Sequence, residues 1–170
     1  MDQEKIARVE ALFAGWDAAA PGGALTLLQG GEPVLERRFG RANLEHALAE
    51  LSEGYRLVLI TKGDLMHQEQ KLAASGLGDL FVAVEIVSEK NASTYARVFE
   101  RHGTGAAEAA MCGNSLRSDI LPALEAGAFA AHIPYPLTWA HEMAEPPAGH
   151  PRFAELASIS EFPAWAKSLG

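Results

Sequence analysis

From residue 55 onward the chain alternates short apolar runs with stretches of helical character: "YRLVLIT" (55–61), "VAVEIV" (82–87), "AAMCG" (109–113) and "AFAAHIP" (128–134). The run at 55–61 is a continuous apolar strand of the kind covered on both faces. Between them, helices are predicted over 65–75, closed by Gly76, over 92–102, ended by Gly103, and over 116–126. Alternation at this pitch builds βαβ units and a parallel sheet with helices on both faces. In such sheets ligands bind at the carboxyl ends of the strands, so the residues just after each apolar run carry the functional expectation.

The first fifty residues read differently. Ile6, Val9, Leu12, Phe13 and Trp16 recur at helical spacing within 2–19, and the helix is expected to end near "APGG". "ALTLLQGGEPVLERRFG" reads as two strands turning at Gly30-Gly31, and 42–52 as a helix stopping at Gly54. No flexible linker separates the two styles. The expected organisation is a helix–hairpin–helix segment over 1–50 packed on an α/β domain over 51–170. The Pro-rich stretch 134–151 is expected to be loop, and a last helix to cover 161–168.

Composition narrows the function classes. Hydrophobic residues make up 48% of the 170, enough for a real core, and the formal net charge is −8. An acidic chain without a Lys/Arg block is a poor binder of a phosphate backbone, so no nucleic-acid partner is expected. The single Cys112 excludes an internal disulfide and suggests a reducing compartment. "MDQEKIARVE" lacks the apolar core of a signal peptide, and no apolar run reaches the about 18 residues of a membrane span. A cytoplasmic protein without membrane contact is the resulting expectation.

Polar residues follow three of the runs: Thr61 with Lys62, Gly63 and Asp64; then Ser88 to Lys90; then Asn114, Ser115 and Asp119. A hydroxyl, an ammonium and a carboxylate converging on one edge can bind phosphate and a hard cation. Thr61 and the turn after it can donate to phosphate oxygens. Lys90 can neutralise developing charge, and Asp119 can hold a cation with Asn114 or Ser115 nearby. Cys112 is expected to face a core rather than a substrate. His132, His141 and His150 recur every nine residues, which is not metal-ligand spacing.

The order "LVLITKGD", "VSEK", "GNSLRSDILPALEAG" resembles the second, third and fourth motifs of the haloacid dehalogenase-like (HAD) superfamily, mostly phosphatases, over about residues 54–170. The resemblance implies a Rossmannoid three-layer α/β fold and magnesium-dependent phosphate ester hydrolysis through a phosphoaspartate. By resemblance, Thr61 (with Lys62, Asn114 and Ser115 nearby) would bind the phosphoryl group. Lys90 would tie nucleophile to phosphate, and Asp119, with Asn114 where many members carry Asp, would hold magnesium. The family's first motif, Asp-x-Asp-x-Thr, supplies the nucleophile and should precede Thr61. No upstream acidic residue forms that pattern.

"FAGWDAAAPGGALTLLQGGEPVLERRFGRANLEHAL" instead resembles the amino-terminal segment of serine β-lactamase-related (class C) proteins, over roughly residues 6–48. Their nucleophile lies in Ser-x-x-Lys, which occurs nowhere in this chain. The combined expectation is a chimera, in which an appendage replaces the first strand and cap of a HAD-like core. Such a core would keep the phosphate and magnesium residues but lack standard phosphoaspartate catalysis. Its expected ligand is a small phosphorylated molecule. The alternatives are a non-catalytic, self-associating protein, possible as a homodimer, and an esterase or lactamase with another nucleophile. A missing central strand would leave backbone groups unpaired at about 1–3 kcal/mol each. Residues 24–29, or less readily 34–39, are therefore expected to pair with the parallel sheet.

Overall fold

A computed structural model describes residues 23–29, 32–39, 41–63, 72–73, 75–134 and 144–169, with side chains from residue 43 onward. The helix expected over 2–19, most of that over 65–75, and Asp64 lie outside these residues. The chain divides into two compact units, Met1–Leu48 and Ala49–Gly170.

In the first unit, β1 (Gly23–Gln29) and β2 (Glu32–Phe39) form an antiparallel hairpin, in register from Gly23↔Phe39 to Gln29↔Glu32. The ladder slips between Leu27 and Leu28, where Leu28 faces Pro33, a residue with no N–H to give. Helix α1 (Arg41–Ser52) follows and runs across the unit boundary. The hairpin strands make a two-stranded sheet of their own, so the expected pairing of 24–29 or 34–39 with the parallel sheet is not met. The physical reason is local. A two-residue link closes a hairpin at little entropic cost, whereas a parallel partner needs a long crossover.

The second unit carries β3 (Val58–Lys62) paired in parallel with β4 (Ala83–Val87), and β5 (Ala110–Gly113), β6 (Phe129–His132) and β7 (Phe153–Glu155) in a second parallel sheet, in that order. The single sheet expected from sequence is thus two hydrogen-bonded pieces among the described residues. Strand β7 was not expected, because three residues are too short for a period to register.

Helices α2 (Ala92–His102), α3 (Leu121–Glu125) and α4 (Phe162–Lys167) complete the unit. Ile60 of β3, Val87 of β4 and Ala130 of β6 share one core with Tyr95 and Val98 of α2 and with Ala123 and Leu124 of α3. The neighbouring Ala131 enters a second core with Leu51, Leu156, and Phe162 and Ala166 of α4. Consecutive residues of β6 therefore face opposite helical layers, as the two-residue period of a strand requires. The result is a three-layer α/β arrangement. No helix among the described residues is long and apolar enough to cross a membrane.

Candidate functional site

Side chains from the segments after β4 and β5 meet. Lys90, three residues after β4, sends its ammonium to Asp119, six residues after β5, at 2.6 Å from Oδ1. Both side chains are largely withdrawn from solvent, at 16% and 7% exposure, so this pair feels far less screening than a surface one.

Local chain geometry delivers Asp119. Ser115 caps the turn after β5, its Oγ accepting from the Ser118 N–H at 2.9 Å. Residues Leu116–Ile120 then form one wide π-type turn, in which the Ser115 carbonyl accepts from both Asp119 N–H (2.9 Å) and Ile120 N–H (3.1 Å). Such wide turns often re-aim functional side chains. Here the turn folds the Asp119 carboxylate back, so that Oδ2 accepts from the Ser115 N–H at 3.1 Å. Gly113 makes room for it, since a Cβ at that position would collide with the Asp119 carboxylate.

Two residues outside the sequence motifs complete the surroundings. Tyr95, fully buried in α2, donates its hydroxyl to the Ser118 carbonyl at 3.0 Å and lies 3.5 Å from Asp119 Oδ1. Burial, and then the charge of Asp119, push the Tyr95 hydroxyl far above the ordinary phenol range, so it acts as a neutral donor. His132, at the end of β6, places Nε2 3.2 Å from the Asn114 carbonyl oxygen and Nδ1 3.3 Å from Glu155 Oε2, lacing the ends of β5, β6 and β7 together. Tyr95 carried a readable signal as an aromatic on the inner stripe of a helix that starts at the edge. His132 carried only its place at a strand's end.

The other expected site residues are placed as follows. Thr61 lies at the carboxyl end of β3, opposite Ile86. Lys62, the last residue of β3, gives its ammonium to Glu89 at 2.9 Å in an exposed pair. Asn114 directly follows β5, and its backbone carbonyl faces His132. Cys112 lies within β5, and burial followed by the charge of Asp119 pushes its thiol up to about 12, so it stays a neutral core thiol. The structure thus brings Lys90, Ser115 and Asp119 into direct contact, whereas Lys62 is engaged with Glu89.

Magnesium suits one or two carboxylates in an open octahedral oxygen set. Asp119 supplies a carboxylate here, and its oxygens already accept from Lys90 and the Ser115 N–H, with the Tyr95 hydroxyl 3.5 Å from Oδ1. Among the described residues no three His, Cys, Asp or Glu side chains group to hold a metal ion. With Oδ1 on Lys90 and Oδ2 on the Ser115 N–H, these residues do not fit the ion.

No family model matches the chain, and no curated protein matches it. Among solved structures it is similar to a haloacid dehalogenase-like family hydrolase from Xanthomonas campestris, with TM-score 0.67, 41% identity, and coverage of 78% of this chain and 55% of that one. It is also similar to a HAD phosphatase from Thermococcus onnurineus, with TM-score 0.60, 26% identity, and coverage of 78% and 59%. A HAD-hydrolase from Bacillus subtilis, crystallised with magnesium bound, shares the fold at TM-score 0.59 and 21% identity, over 71% and 53% of the two chains. The fold is therefore the HAD-like hydrolase fold, and the chain spans just over half the length of these three structures.

Proposed function

We propose that this chain is a HAD-like hydrolase core that binds a small phosphorylated molecule or phosphate at the carboxyl edge and does not perform phosphoaspartate catalysis. One observation carries the reading: Asp119, the carboxylate that meets Lys90, has both oxygens occupied by hydrogen-bond donors and is 5% exposed, so it is no stand-in for the absent first-motif nucleophile. A nucleophile must be accessible, with a lone pair aimed at phosphorus. Asp119 serves instead to hold Lys90. Lys90, with Thr61, Asn114 and Ser115 at neighbouring strand ends, remains suited to an oxyanion. The lack of an Asp-x-Asp pattern before Thr61 supports the same reading. So does the resemblance of residues 6–48 to β-lactamase-related proteins, which makes the chain a chimera whose front segment brings no nucleophile.

Hydrolysis of p-nitrophenyl phosphate by the full chain is expected near background, because removing a covalent nucleophile removes most of the acceleration. Turnover in the ordinary enzyme range, roughly 1–10³ s⁻¹, that disappears in Asp119→Ala would overturn the proposal.

A second reading, self-association, has an observation of its own. Among the described residues β3 is paired only with β4 and β5 only with β6. A strand with one open edge can pair with another chain.

A further inference from the structure

Taking the carboxyl edge as the oxyanion site just proposed, we infer that Lys90 is its resident cation, so that the site takes an inorganic phosphate or phosphate monoester without a divalent metal. Four features of the molecule converge on this.

The ammonium sits 2.6 Å from Asp119 Oδ1, at the distance of a strong charge-assisted hydrogen bond. A metal ion on Asp119 Oδ1 would stand within about 5 Å of that ammonium, a like-charge contact in a poorly screened place. Oδ2 is no alternative, for it accepts from the Ser115 N–H and packs over the face of Gly113. Finally, Lys90 and Asp119 carry opposite formal charges that cancel, and no cluster of three His, Cys, Asp or Glu side chains surrounds them among the described residues. A divalent ion would be drawn into a site with no net negative charge. A phosphate oxygen, by contrast, meets an ammonium with three donor hydrogens, of which Asp119 uses one. The positive charge that a metal would supply to a phosphoryl group is thus built into the chain.

The test uses the full chain freed of metal, in phosphate-free buffer. Magnesium chloride is titrated into wild type, Lys90→Met and the double variant Lys90→Met with Asp119→Asn, with thermal melting and calorimetric heat as readouts. Wild type is expected to show neither binding heat nor a shift in Tm. Lys90→Met uncovers a buried carboxylate and is expected to bind magnesium, with a Tm rise that the double variant lacks. Magnesium stabilising wild type, with the effect lost in Asp119→Asn, would overturn the inference. So would indifference to magnesium in both wild type and a folded Lys90→Met, since Lys90 would then not be what excludes the ion. If Lys90→Met does not fold, the wild-type arm decides alone.

A second titration separates this inference from the reading beneath it. Inorganic phosphate is added to wild type in EDTA and again in magnesium. Equal affinity in the two supports the inference. Binding in magnesium alone overturns it while leaving the oxyanion site standing. Absence of phosphate binding in both removes the oxyanion site and this inference with it.

Discussion

Gly113 is the residue on which the site's geometry turns. Its missing side chain is what lets the carboxylate of Asp119 fold back over the end of β5; a Cβ there would meet Asp119 at its Cβ and Cγ as well as its oxygen. The neighbour cannot give way cheaply. Asp119 is held by Lys90, by the Ser115 N–H and, through its own N–H, by the Ser115 carbonyl. Gly113→Ala is therefore expected to destabilise the chain by about 1–3 kcal/mol, as other overpacked sites do. A shift of the urea midpoint with unchanged m-value would register the loss. A midpoint within error of wild type would mean that Asp119 is held less firmly than its bonds indicate.

Helix α2 is placed at the edge by the residue that caps it as much as by its core. Asn91 accepts from the Thr94 N–H at 2.9 Å, which fixes the turn that carries Lys90. Asn91→Ala is expected to cost about 1 kcal/mol of stability, as lost caps do. Thermal melts compared with Asn91→Asp, which keeps the accepting oxygen, would separate the cap from other effects. The helix over 92–102 and its stop at Gly103 could be read in the sequence, because helix signals lie within a few residues of one another. The core strands β4, β5 and β6 were readable for the same reason, as was the hairpin about Gly30-Gly31. Pairings between distant segments were not. Nothing near residues 24–29 records that the hairpin keeps to a sheet of its own, and three residues of β7 are too few to show a period. At the site, Lys90 and Asp119 were readable as motif positions, but their direct contact depends on a π-type turn that no residue pattern announces. Tyr95 and His132 reach the edge only once α2 and β6 are packed.

Across the α/β unit, backbone pairing is unevenly distributed, and that sets where the molecule opens. Strand β6 is paired on both edges. Phe129 N–H donates to the Ala109 carbonyl at 2.9 Å and Ile133 N–H to the Gly113 carbonyl at 3.0 Å, while Ala130 N–H donates to the Arg152 carbonyl at 2.9 Å on the other side. Its Ala130 and Ala131 are fully buried in separate cores, so exposing β6 means dismantling both helical layers. Strands β3 and β5 each have one partner among the described residues, and β5 begins at an exposed Ala110. Amides that exchange only on global opening belong to segments tied on all sides, and those at open edges exchange through smaller fluctuations. Native-state hydrogen exchange is accordingly expected to find Phe129, Ala130 and Ile133 among the slowest amides, with the strand amides of β3 and β5 faster. Concentration supplies a control: if chains pair through the open edges, protection in β3 and β5 should rise to the level of β6 in concentrated samples and fall on dilution. Protection equal to that of β6 at every concentration would mean that both edges are covered within one chain, which would remove the ground for self-association.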